Sequence, residues 1–331
     1  MATTLLTRPA QIDDDATRRQ FLAILSAAGI LAGCGTSEPR PRATSTTRSV
    51  QDVFGATIEV PADPQRVVVM DQQILGNLIS LGFETDRIAG FAKADVADLS
   101  TLDYLGVPDL IAGLTDVGTH AEPNAEKILL ANPDLILIVA ETGFDDYYGP
   151  IFKTLETIDV PTVAVRNGYR TFDESMELLL GVGTVVGRES AARDVAAALR
   201  ERIDDVASAA QAGGALPTAA YLRVFGDSYG SVCSPILDRL GLPGTRPTPE
   251  EFFTEVSGEE LGRFDHEVLF VSASQDPDET MAQLEAHPLW SRLPAVSAGR
   301  VHVVDDAVWG AGYSVPAYEA QLEDAADALR N

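Results

Sequence analysis

The sequence predicts an α/β protein of two lobes, each with a mostly parallel sheet, joined by a single long α-helix. Three observations lead there. Apolar runs of strand length alternate with helical segments on both sides of the midpoint. One apolar stripe at helical spacing runs through residues 188–212. A sixteen-residue pattern recurs once in each half, at 124–139 and 257–272.

In chain order, "TRRQFLAILSAAGILAGCG" comes first, from Thr17 to Gly35. Phe21–Cys34 is shorter than the roughly 20 apolar residues a membrane span needs. A basic start, a short apolar run and a small-residue end describe an export signal; a short buried helix is the other reading. Arg18-Arg19 before Phe21-Leu22 resembles a twin-arginine address, and Leu31-Ala32-Gly33-Cys34 resembles a bacterial lipobox. Residues 1–33 are thus expected to be removed and Cys34 lipidated. Stable anchoring needs more than one acyl chain, so the mature protein is expected on the extracytoplasmic face of the cell membrane.

Residues 34–49 are rich in Pro, Ser, Thr and Gly and are expected to form a flexible tether. About 298 residues then remain in the mature chain, enough for two domains. The formal net charge of −26 disfavours nucleic acid and anionic lipid as partners and makes an arginine in a cleft informative. Only Cys34 and Cys233 occur, so lipidation leaves no intramolecular disulfide, and Cys233 reads as a buried apolar residue.

The first lobe is expected over 50–187. "VFGATIEV" reads as a hairpin around its glycine. Strands follow at Val67–Met70, Leu135–Val139 and Val163–Val165, with helices near Ile74–Leu81 and Tyr147–Ile158. Residues 188–212 form the connecting helix: Ala192, Val195, Leu199, Ile203, Val206 and Ala210 line one face, and Gly213-Gly214 and Pro217 stop it. At about 1.5 Å per residue it reaches roughly 36 Å. The second lobe spans 213–331, with strands at Ala220–Phe225, Val268–Ser272 and Val301–Val304. Its helices fall at Ile236–Leu240, Thr280–Ala286 and from about Pro316 to Leu329.

"NAEKILLANPDLILIV" aligns with "SGEELGRFDHEVLFVS", matching Glu126 to Glu259, Ile128 to Leu261 and Asp134 to Glu267. One copy per lobe implies pseudo-twofold lobes with a crevice between them, where sites in open α/β sheets form. Glu126 and Glu259 can be simple first-turn acids that complement a helix dipole. As equivalent carboxylates, one per lobe, they also suit a two-fold partner presenting arginines.

Several motifs compete. "GDSYG" at 226–230 fits the G-x-S-x-G elbow of an esterase with Ser228 as nucleophile and His287 or His302 as base. Against it, Ser234-Pro235 reads as the cap and first position of the next helix, too far past Ser228. "GVGTVVG" at 181–187 lacks the Lys-Ser/Thr of a phosphate loop and reads as a helix end with flexible residues. The four histidines, at 120, 266, 287 and 302, show no ligand spacing, so a protein-built metal site is disfavoured. What remains are loop residues after strands: Gln72, Gln73, Arg166, Tyr169, Arg170, Arg223, Tyr229, Ser231, Trp309 and Tyr313. Aromatics with a few arginines suit a bulky anionic or aromatic ligand, although each can equally be a packing or surface residue.

"IEVPADPQRVVVM", "EPNAEKILLANPDLILIV", "LEAHPLWSRLPAVSAGRVHVVD" and the terminal amphipathic helix together resemble the periplasmic-binding-protein-like lipoproteins that serve ABC importers of iron–siderophores. The resemblance covers about residues 50–331. It implies two Rossmann-like lobes on a rigid helical hinge, no catalysis and no cofactor, with iron entering only inside the bound chelate. It implies that Glu126 and Glu259 engage arginines of the permease dimer, and that the protein is a monomer. Pocket residues diverge within such families, so the ligand contacts are this sequence's own candidates. Arg223 and Arg170 are expected to meet the ligand's negative charge. Trp309, Tyr313 and Tyr229 are expected to form stacking walls, with Tyr169 and Gln72 beside them. His266-Glu267 stands where the pattern usually has Pro-Asp. The function expected is capture of a ferric siderophore in the interlobe cleft. Haem or corrinoid binding, the Ser228 esterase and an envelope scaffold without ligand are the alternatives.

Overall fold

The structure, a computed structural model, describes residues 46–330 apart from positions 97, 227, 249, 252 and 275. The expected signal segment, most of the tether and Cys34 lie outside the described residues. The first described element is not tether. Strand β1 (Thr47–Gln51) pairs antiparallel with β2 (Thr57–Pro61). Its single apolar side chain, Val50, is buried, and the Arg48 guanidinium donates to the carbonyls of Thr184 and Val185. A stretch with so little apolar content is ordered here because it satisfies orphan carbonyls at a helix C-terminus.

The first lobe carries β3 (Val67–Val69), β4 (Ile88–Phe91), β5 (Thr115–Asp116), β6 (Leu135–Ala140) and β7 (Thr162–Arg166). They lie in the order β5-β4-β3-β6-β7, all parallel. Sequence order runs outward from β3 in one direction and then resumes at β6 in the other. The gap between β3 and β6 is therefore a topological switch point, where open α/β sheets leave a crevice at their strand ends.

The second lobe holds β8 (Ala219–Phe225), β9 (Ser228–Val232), β10 (Phe253–Val256), β11 (Val268–Ala273) and β12 (Val301–Val304), in the order β10-β9-β8-β11-β12. Strands β8, β11 and β12 are parallel, while β9 and β10 form an antiparallel edge. Strands β4, β5, β9 and β10 are short and glycine-containing or polar, and hydrophobic runs alone do not reveal them.

Strand residues alternate between two cores. Val67, Val69, Leu135, Leu137, Val268 and Phe270 join a central cluster that runs through both lobes. Val68, Ile136 and Ile138 face a second cluster on the far side of the first sheet, and Leu269 and Val271 a third on the far side of the second. The connecting helix is Glu189–Ala212, with Ala192, Ala196, Leu199 and Ile203 buried. Residues 181–187 are a helix end as expected, the last turns and C-cap of helix Phe172–Val186. Gly183 sits where a Cβ would come within 2.6 Å of the Ala192 Cβ, so its glycine serves close helix packing.

The two repeat copies occupy equivalent places. Each ends in the inner strand beside its lobe's switch point, β6 and β11. Asp134 accepts from the backbone amides of Gln65 at 2.7 Å and Arg66 at 3.0 Å, just before β3. Glu267 accepts from the amide of Thr218 at 2.9 Å, just before β8. Each carboxylate pins the neighbouring strand's entry, so the shared acid has a structural cause.

The C-terminal helix, Val315–Arg330, packs against the connecting helix and helix Gln72–Ser80 as well as β12. Tyr318 is fully buried and its hydroxyl bonds the Ser175 hydroxyl in the first lobe. The Val315 amide donates to Asn77 Oδ1 at 3.2 Å. Gly76 lies so close beneath that a Cβ would meet Ser314 Oγ at 2.5 Å.

Candidate functional site

A cleft of about 570 Å³ opens at the strand ends of both lobes. First-lobe residues Met70, Asp71, Gln72, Gln73, Asp95, His120, Tyr147, Tyr148, Asn167 and Tyr169 line it, and Arg223, Gly310, Ala311 and Tyr313 close it from the second lobe.

Asp71 lies one residue beyond the end of β3, after Met70, and caps helix Gln72–Ser80 by position, but its side chain makes no cap hydrogen bond. It reaches across the switch point instead: Oδ2 accepts from the Val139 amide at 2.8 Å, and Oδ1 accepts from His120 Nδ1 at 2.7 Å. Burial works against a charged imidazole at His120, yet the Asp71 hydrogen bond and the charges of Asp71 and Asp95 outweigh it and raise its pKa. The His120 ring stacks on Tyr147 and meets Tyr148 edge-on, both with centroids 6.0 Å away. Tyr147 is half exposed at the rim, while Tyr148 is buried. Asp95 accepts from the backbone amide of His120 at 2.6 Å, and desolvation holds its carboxyl above the usual range. Tyr169 and Tyr313 face each other from opposite lobes with ring centroids 5.8 Å apart. Burial, then Glu141, pushes the Tyr169 phenol up to about 12.

Of the residues nominated from sequence, Gln72, Gln73, Tyr169, Arg223 and Tyr313 line this cleft. Gln72 Nε2 already donates to the Ala311 carbonyl across the lobes at 2.7 Å. Arg223 is not the open cation expected. Its Nε and Nη2 both donate to Asp306 at 2.6 Å, its Nη1 donates to the Gly310 carbonyl at 3.1 Å, and its plane lies over Phe225. Arg170 lies outside the cleft lining, ion-paired to Glu141 at 2.8 Å and stacked on Tyr169. Trp309 is no stacking wall: it is buried at 3% exposure, stacks on Phe270 and donates its indole N–H to Asp324 at 2.8 Å. Tyr229 pairs on β9 opposite Val224 and Val256 and packs on the far-side core of the second sheet.

The cleft residues missed from sequence are Asp71, Asp95, His120, Tyr147, Tyr148 and Asn167. Asp71 carried a usable signal, as a carboxylate just after a buried strand. Glu126 and Glu259 are both exposed in first turns, with no partner among the described residues. Leu129 and Leu130, on the same helix as Glu126, are exposed too, Leu130 at 81%.

Among the described residues the elbow geometry is absent. Ser228 opens strand β9 of a hairpin, and the next helix starts at Pro235, with Ser234 Oγ accepting from the Leu237 amide. His287 accepts from the Leu289 amide, and His302 lies against Phe270. Cys233 is buried, which pushes its thiol up to about 12. Among the described residues no three His, Cys, Asp or Glu side chains converge as a metal site, and no helix is long and apolar enough to cross a membrane.

A family model described as "Periplasmic binding protein" matches residues 67–308, spanning both sheets and the helix between them. The chain belongs to that family. The Fe(3+)-citrate-binding protein YfmC of Bacillus subtilis is 26% identical over 91% of this chain and 93% of its own length. The probable siderophore-binding lipoprotein YfiY of the same organism is 27% identical over 92% and 95%. Among solved structures, Staphylococcus aureus SirA complexed with staphyloferrin B superposes with a TM-score of 0.70 at 19% identity, over 86% of this chain and all but 1% of that one. The siderophore periplasmic binding protein from the fuscachelin gene cluster of Thermobifida fusca gives 0.66 at 26% identity, over 82% and 98%. The two parallel-dominated sheets and the long connecting helix are the fold these neighbours share.

Proposed function

We propose that the protein is an extracytoplasmic solute-binding lipoprotein that captures a ferric siderophore in the interlobe cleft and delivers it to an ABC importer. The observation that carries it is the cleft itself: both lobes wall it at a switch point with tyrosines and amide side chains, a lining suited to a bulky polar chelate. The names of the relatives point to the same class of ligand. In this reading no catalysis occurs, and iron arrives already chelated, without a cofactor. Lipidation at Cys34 would hold a monomer at the outer face of the cell membrane. Glu126 and Glu259, exposed and unpaired on the two copies of the repeat, would meet arginines of the permease dimer.

Calorimetric titration of the purified protein with ferric hydroxamate, catecholate and carboxylate siderophores, haem and cobalamin tests the binding step. Saturable one-to-one binding of one ferric chelate is expected, with the iron-free ligand far weaker. Binding of haem or cobalamin alone would reassign the ligand, and silence across the set would reject a transport role. For docking, Glu126→Ala with Glu259→Ala should leave that affinity unchanged and abolish iron-chelate uptake by cells; unchanged uptake removes the docking role.

A further inference from the structure

We propose that the cleft selects ferric chelates that carry no net negative charge, and that Asp95 is the carboxylate that faces a cationic group of the ligand. The inference rests on the proposed solute-binding role and adds the ligand's charge class.

The charges around the cleft decide it. Arg223 is the cleft's one arginine among the described lining residues, and Asp306 neutralises it through two hydrogen bonds of 2.6 Å. The nearby Arg170 is neutralised by Glu141. Two carboxylates remain, Asp71 and Asp95, and His120 offsets one of them when protonated. The site is thus left with one negative charge, or two when His120 is neutral.

Asp95 carries that excess. One of its oxygens accepts from the His120 amide, and the other has no partner among the described residues. Its residue is exposed at the cleft, where a ligand can reach it. Lys93, two residues away, is turned elsewhere and donates to the Ala112 carbonyl at 2.8 Å. An arriving chelate also meets the field of a chain whose formal charge is −26.

A unit charge about 8 Å from Asp95, at an effective dielectric near 40, changes affinity roughly fivefold. Three negative charges on a tris-catecholate therefore cost on the order of a hundredfold. An ammonium on the ligand gains about the same fivefold that one negative charge loses.

The test uses four probes on the purified protein: ferrioxamine B, a linear trihydroxamate ending in an ammonium; ferrioxamine E, its cyclic uncharged counterpart; ferric enterobactin, triply negative; and ferric dicitrate. Ferrioxamine E should bind on the order of a hundredfold tighter than ferric enterobactin, ferrioxamine B about fivefold tighter still, and ferric dicitrate more weakly than either hydroxamate. Asp95→Asn should reduce the preference for ferrioxamine B over ferrioxamine E by roughly fivefold. Tight binding of either anionic chelate, or an unchanged preference in Asp95→Asn, overturns the charge selection and leaves the transport role standing. No binding of any probe overturns both.

Discussion

Replacing Asp71 by asparagine probes the joint between β3 and β6. The carboxylate is only 11% exposed and holds two donors, His120 Nδ1 at 2.7 Å and the Val139 amide at 2.8 Å. Asparagine retains one acceptor oxygen and turns an amide N–H₂ toward the other donor. The bond lost to the imidazolium is charge-assisted, worth about 1.5–3 kcal/mol, and the donor left unsatisfied adds a desolvation cost. A total of about 2–4 kcal/mol follows at about pH 5.5, where His120 is charged. The folded-state pKa of His120 is raised, so the pair's contribution is fully present below the unfolded value near 6.5. It is lost as pH rises through the raised folded value. At about pH 8.5 a neutral Nδ1–H still donates, and the cost falls to about 1–2 kcal/mol. At about 2–4 °C per kcal/mol for a domain near this size, Tm should drop by roughly 4–16 °C at the lower pH and roughly 2–8 °C at the higher. Melts of both proteins followed by circular dichroism at the two pH values measure this. Equal depression at both, or none at the lower pH, refutes the ion-pair account.

Three further outcomes are expected. Gly76→Ala drives a methyl into Ser314 Oγ and Cβ and should destabilise by about 1–3 kcal/mol, read as a lower denaturant midpoint; an unchanged midpoint would mean that the two elements separate freely. Asp134→Ala and Glu267→Ala each free backbone donors at a strand entry and should each cost about 1–3 kcal/mol in chemical denaturation; a large loss in one and none in the other would break their equivalence. Trp309→Phe removes the partner of Asp324 and should lower stability by about 1–3 kcal/mol while leaving ferric-chelate affinity within about twofold; a larger affinity loss would return Trp309 to the site.

What was legible in the sequence follows from the range of each interaction. The inner strands β6 and β11 announce themselves because both faces are buried, so their apolar runs are continuous. The connecting helix shows because its stripe repeats over 24 residues. The repeat shows because Asp134 and Glu267 answer the same demand of a neighbouring strand. The site was harder. Arg223 reads as a free cation until Asp306, 83 residues on, is placed beside it. His120 reads as an isolated histidine until Asp71, 49 residues earlier, meets it. Trp309 follows a strand whether it faces a cleft or a core, and only its partners Phe270 and Asp324 decide. Strand β1 was hidden because its order comes from Arg48 reaching the end of a distant helix.

The C-terminal helix has a consequence for how the chain is made. Its Tyr318, Val315 and Leu322 complete the apolar core that the two lobes share. These residues leave the ribosome after every strand of both sheets. Until they do, helix Gln72–Ser80 and the connecting helix lack the cover that this last helix provides. Domains ordinarily fold from the N-terminus as synthesis proceeds; this chain can finish folding only after helix Val315–Arg330 has emerged. A nonsense codon anywhere upstream of residue 315 would therefore leave both lobes unfinished at once, and the truncated product would be a target for proteolysis rather than a working half.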